Sequence, residues 1–258
     1  MANNFAGDPN CKALWKLNNG ALTVDSISTN TLTNVGVTSD TTNQREGDGC
    51  GDWEATESDY IYITDASLAS GFPLKNGDTN KVISVCGWTR MESLSAGRNV
   101  ILDKNDGGSS NKRSFQFGVD SSGYAVLVLG YNSGISGELK THSTVLSLAT
   151  LYHITATYEN AGKTWAIYVR DTDGNTVGSD TTGTATLDVN KLSVSDAILT
   201  IGAHYEAGVP TADFYQDGLM DELVVFNDII TAAEATQIAK GAYLNTPVKT
   251  KHLRSLRA

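Results

Sequence analysis

The chain has 258 residues, 40% of them apolar, with four prolines, 25 glycines and a formal net charge of −10. These values exclude a disordered or collagen-like chain, and the acidic balance argues against nonspecific binding to nucleic acid. The length suffices for one large β-domain with a sizeable core.

The charge is not uniform. Lys249, Lys251, Arg254 and Arg257 fall in the last ten residues with no acid among them, so 249–258 reads as a basic tail on an acidic body, solvated or docked on an acidic neighbour. "MANNFAGDPN" at the start has neither a basic n-region nor an apolar h-region, and no apolar run approaches the length of a membrane span. Cys11 and Cys50 lie in loop-like sequence and could form a bridge, whereas Cys86 in "VISVCGWT" reads as a small buried hydrophobe.

In chain order, runs rich in Val, Ile, Thr, Tyr and Phe alternate with period two. They are "KALWKL" (12–17), "YIYIT" (60–64), "KVISVCGWTRM" (81–91), "NVILD" (99–103), "RSFQFGV" (113–119) and "GYAVLVLG" (123–130). "LYHITATY" (151–158), "KTWAIYVR" (163–170), "ILTIGA" (198–203) and "DELVVFN" (221–227) complete the set. So many strands must stack into two sheets. "DSSG" (120–123), "ENAGK" (159–163) and "DTDGN" (171–175) supply turn residues that tolerate positive φ, which makes neighbouring strands mostly antiparallel. One helix is expected: Thr231 is its N-cap, Glu234 the reciprocal partner of a capping box, and Ala235, Ile238, Ala239 and Ala242 its apolar stripe. No repeat or linker interrupts residues 11–245, so 1–248 is read as one all-β domain.

The order of these signals resembles the laminin-G-like jellyroll, a branch of the concanavalin A-like lectin and glucanase superfamily. "ALWKLNNG" with the later Asp25, "SDYIYITDASL" (58–68) and "ISVCGWTRM" (83–91) are similar to the family's opening, Asp-turn and central Trp strands. "LYHITATYENAGKTWAIYVRDTDGN" (151–175) resembles its Trp/Tyr-His-Val hairpin, with Tyr152 where Trp is frequent. "FYQDGLMDELVVFNDIITAAEATQI" (214–238) resembles its closing signature. The resemblance implies a two-sheet antiparallel jellyroll β-sandwich with one short C-terminal helix.

Glucanases of that superfamily place two carboxylates across the scissile bond from alternate positions of one strand. No strand here has that spacing; in "WEATESD" Glu54 and Glu57 are three apart and face opposite ways. The four histidines form no metalloprotease or triad pattern, and His153 in a strand reads as a hydrogen-bonded structural residue.

Calcium is the better-motivated chemistry, since an acidic β-protein supplies oxygen ligands readily. The resemblance implies Asp221, at the start of the closing strand, meeting the loop that carries Asp25 as the structural Ca²⁺ ligands. The alternative for Asp221 is a turn or cap that bonds backbone N–H groups. Regular alternation puts Asp221 and Glu222 on opposite faces, with Glu222 toward solvent or a charged partner. Sugar-binding aromatics are expected on loops, at His204, Tyr205 and Tyr131, while Trp15, Trp88 and Trp165 in strands read as core.

The sequence therefore points to a non-catalytic recognition or adhesion module with a glycan or surface polysaccharide as ligand, outside the cell or on a particle surface. The rival is a structural or tail component of a virus particle or surface assembly, self-assembling or docked through its basic tail. A glycoside hydrolase is the third reading.

Overall fold

The computed structural model describes residues 3–106, 112–130, 138–186, 194–206 and 208–244, and the side chains of all of these except 212 and 213. The basic tail lies outside them. Strands β1 (Cys11–Trp15), β2 (Thr33–Val35), β3 (Thr38–Asp40), β4 (Cys50–Trp53) and β5 (Tyr60–Ile63) come first. They are followed by β6 (Val82–Met91), β7 (Arg98–Asn105), β8 (Arg113–Asp120) and β9 (Tyr124–Leu129). Then come β10 (Glu138–Val145), β11 (Leu151–Glu159), β12 (Thr164–Arg170), β13 (Thr181–Thr184) and β14 (Leu199–Ile201). β15 (Ala203–Glu206), β16 (Val209–Tyr215), β17 (Gly218–Phe226) and the helix α1 (Ala232–Ala239) close the chain.

These strands make two large antiparallel sheets and a hairpin. The first runs β13-β12-β11-β6-β17-β4-β3, with β1 also on β17; the second runs β10-β9-β8-β7-β14-β5-β2; β15 pairs with β16, and its Tyr205 also bridges Asp106 next to β7. The architecture is the expected jellyroll sandwich. Ten of the strands match apolar alternations in the sequence. Strands such as β2, β3 and β13 read TNV, TSD and TTGT and lie at sheet edges, where no apolar face is required and the period-two signal vanishes.

Alternation builds two cores. Inward residues such as Ile83, Val85, Phe115, Phe117, Leu127, Ile154, Ile167 and Leu199 fill the space between the sheets. Their neighbours on the outer face of the first sheet, among them Cys86, Ala166, Tyr168, Val224 and Phe226, are covered by Phe5, Ile230, Tyr243 and the stripe Ala235 and Ile238 of α1. The helix begins as expected: Thr231 Oγ1 accepts from Glu234 N, and Glu234 Oε2 accepts from Thr231 N at 2.8 Å.

Cys11 and Cys50, which the sequence left open as a bridge, do not pair: all three cysteines are free and buried. Cys11 stands opposite Phe226 of β17, while Cys50 precedes Gly51, which faces Met220 of the same strand. That separation along the strand is about 15–20 Å, far beyond the reach of a disulfide.

The helix is tied to the sheet by Arg170 at the end of β12. Its side chain is 2% exposed and donates to both oxygens of Asp180, to Thr236 Oγ1 and to the carbonyl of Ala232. Removing one partner of a buried pair strands the other charge. Because Asp180 itself is 28% exposed, Asp180→Ala is expected to cost about 2–3 kcal/mol in chemical denaturation, and Asp180→Asn less, since it keeps an acceptor. A loss within experimental error for the alanine variant would show that the guanidinium is satisfied without its carboxylate.

Candidate functional site

Two places gather the chemistry. On the outer face of the first sheet, ladder pairing sets Arg170, His153, Trp88 and Asp221 in one row. His153 is buried and its pKa falls to about 3, through burial first and then the charges of Arg170 and Arg45. Arg45 lies over the Trp88 ring at 4.9 Å, and its own N–H and that of Glu46 donate to Asp221 Oδ2 at 2.7 and 2.9 Å. Asp221 thereby pins the 44–46 loop onto the sheet. Its other oxygen, Oδ1, is buried without a hydrogen-bond partner.

Strand β17 breaks alternation at this point, which corrects the expectation for Glu222. Its pairing with β6 shifts between Asp221 and Val224, and Glu222 adopts φ 48. Met220 and Leu223 both enter the core between the sheets, so the bulge leaves the two acids between them both outside that core. Glu222 is 9% exposed, not solvent-facing, and sits in a cavity of about 160 Å³ with Asn3, Phe5, Leu14 and Lys16. Burial raises its pKa to about 7, helped by the charges of Asp221 and Glu46. Burial also raises Asp221 to about 6, against the lowering effect of the Glu46 and Arg45 N–H groups.

Asp25 does not fit the metal role implied for it. Its Oδ1 accepts from Leu14 N and Ile27 N, and its Oδ2 from Asn30 N and Asn30 Nδ2, so four N–H donors occupy the carboxylate. It is a staple for the loop after β1. Among the described residues no three His, Cys, Asp or Glu side chains are placed to hold an ion. Asp221 Oδ1 fits in part, as a single available oxygen.

The second place is the outer face of the seven-stranded sheet. One row crosses it from strand to strand: Leu139, Val128, Gln116, Asp103, Thr200, Tyr62 and Thr33. The segment expected to be a loop around His204 is instead the β15–β16 hairpin, which packs on β7 beside this row. Its root is Gly202, at φ 87, where an added Cβ would meet the buried Trp53 indole.

His204, expected to contact ligand, is turned inward. Its Nδ1 lies 2.6 Å from Asp103 Oδ2, and its ring packs on Phe214 at 5.2 Å, with the Arg98 guanidinium over Phe214. Burial works to lower the His204 pKa, but the hydrogen bond and charge of Asp103 override it and leave it raised. Tyr205 follows on the hairpin, half-buried opposite Pro210. Tyr131 lies outside the described residues.

The sequence reading missed Tyr60 and Tyr62. Their spacing held the signal: Ile61 and Ile63 enter the core, so Tyr60 and Tyr62, which alternate with them, share the outer face with Tyr205 nearby.

A family model described as the laminin G type of the Concanavalin A-like lectin/glucanases superfamily matches residues 55–236. Domain 4 of AbnA, a GH43 extracellular arabinanase from Geobacillus stearothermophilus, in complex with arabinotriose, superposes with a TM-score of 0.59 at 16% identity. That match covers 89% of this chain and 98% of that one. The binding domains of botulinum neurotoxin serotypes C1 and G give TM-scores of 0.63 and 0.61 at 12% and 13% identity. They cover 93% and 89% of this chain but only 53% and 50% of theirs, so the chain spans about half of each toxin domain. At these identities the likeness shows the fold alone. No curated protein sequence matches the chain.

The bulge acids set a pH dependence. Carboxyl groups with folded pKa values of about 6 and about 7, above the ordinary carboxylate range, bind more protons folded than unfolded. Their contribution to stability is therefore full below about pH 4 and is lost as pH rises through 7. Glu222→Gln, which mimics the protonated form, should melt like the wild type at pH 4 and higher than it at pH 8. Parallel melting curves for the two proteins across that range would contradict the assignment.

Proposed function

The chain belongs to the concanavalin A-like lectin/glucanase superfamily, and on that premise we propose that it is a non-catalytic recognition module that binds carbohydrate on the outer face of its seven-stranded sheet. The observation that carries this reading is the composition of the cross-sheet row. Glycosidic cleavage uses a pair of carboxylates flanking the bond. The row holds one, Asp103, and it is fully buried against His204. Toward solvent the row presents Leu139, Tyr62 and Thr33, with the partly exposed Arg98 bonded to Gln116 beside them, a mixture that suits a binding surface. The likeness to an arabinanase domain solved with arabinotriose supports the ligand class.

Calcium enters the reading at Asp221 alone. Support comes from its unpartnered Oδ1 and from the neighbouring acids Glu222 and Glu46. An extracellular or particle-surface setting fits the acidic body and the ligand class. No helix among the described residues is long and apolar enough to cross a membrane.

Incubation with neutral oligosaccharides should give saturable binding by calorimetry and no reducing-sugar release. Turnover that survives purification would place the protein among the hydrolases, and absence of binding to every glycan on an array would remove the ligand class. For calcium, added Ca²⁺ at pH 8 should raise the wild-type melting temperature and leave Asp221→Asn unchanged. Equal responses in both proteins would dismiss Asp221 as a ligand.

A further inference from the structure

Tyr60 and Tyr62 stand on the outer face of β5 with ring centroids 5.8 Å apart and planes tilted by 30°. Across the ladder Tyr62 has Thr33 on one side and Thr200 on the other, and Tyr60 has Val35. Strand β2 is the last of its sheet and all three of its residues are exposed, so the tyrosines form a shelf that is open along its outer side. Burial, and then the neighbouring Tyr205, Tyr62 and Tyr215, raise the Tyr60 pKa. Both shelf rings remain partly exposed.

We propose that this tyrosine shelf is the stacking subsite for a neutral glycan chain. Phenol rings offer apolar faces to the C–H face of a sugar and hydroxyls to its rim, a combination that an apolar partner would leave half unused. Two rings at this separation, in line along one strand, suit two successive units of an extended chain lying along β5. The exposed hydroxyl of Thr33 stands at its flank. Charge decides the ligand class: Thr33, Val35, Tyr60, Tyr62 and Thr200 carry no formal charge, and the net charge of −10 on the chain disfavours acidic glycans. The proposal rests on the recognition reading above and specifies its ligand.

The test uses the full chain and calorimetric titration with neutral pentose and hexose oligosaccharides, alongside a uronic-acid oligosaccharide of similar length. Wild type should bind a neutral series. Tyr62→Ala should weaken it about tenfold, the value of one lost aromatic stack. Tyr62→Phe, which keeps the ring, should stay within about twofold on the same reasoning. Thr33→Lys, on the exposed edge strand, gives a second variant should the first misfold, and it should also weaken the neutral ligand. Unchanged affinity in folded Tyr62→Ala and Thr33→Lys would overturn the shelf and leave the recognition reading standing. A wild type that binds no sugar would overturn both. Preference for the uronic-acid ligand would overturn the neutral class. A dimer in light scattering that Thr33→Lys dissolves, with no sugar bound, would assign the strip to a second copy of the chain.

Discussion

Strand β17 is the constraint on which the rest depends. It lies inside the larger sheet, pairs with β6 on one side and with β4 and β1 on the other, and all nine of its residues are buried. Yet Asp221 and Glu222 sit in its middle. A regular strand would aim one of them into the apolar space between the sheets, where a carboxylate is strongly disfavoured. The bulge resolves the conflict by turning Met220 and Leu223 to the same side and leaving both acids on the other. The left-handed backbone at Glu222 and the two raised carboxyl pKa values are what that solution leaves behind.

The two faces of the molecule are therefore unlike. The outer face of the larger sheet is largely covered by α1, by the N-terminal segment and by the loop that Asp221 pins, and Arg170, Arg45 and Asp221 help hold those covers. The outer face of the smaller sheet is only partly covered, by a hairpin that belongs to neither sheet. His204 and Asp103 are spent on securing that hairpin. Beside it Tyr60, Tyr62 and Thr33 reach toward solvent, the surface proposed above for sugar.

How much of this was legible depended on whether local pattern decided the outcome. Alternation located ten strands, because each of those has a face in a core, and the capping box located the helix, because both its hydrogen bonds are made within four residues. The edge strands were silent, since an edge needs no apolar face. Glu222 was misplaced because a bulge is set by pairing with a neighbour more than a hundred residues away in the chain. His204 was read as a loop aromatic because nothing beside it in sequence announces Asp103, 101 positions earlier. Tyr60 and Tyr62 were visible as alternate residues of a strand, but their openness follows from β2 being a three-residue edge.

The satellite core beneath α1 has a kinetic consequence. It joins Phe5, Cys11 and Leu14 to Val224, Phe226, Ile238 and Tyr243, and it is latched by hydrogen bonds such as that from Tyr243 N to Asn3 Oδ1, 240 positions apart. Helix α1 has eight residues, too few to persist by itself in water. Its stripe has nothing to rest on until the opening and closing segments meet on a formed sheet. Closure of that seam is thus a late event with a large loop-closure entropy to overcome, and it ranks among the first contacts to open when the native state fluctuates.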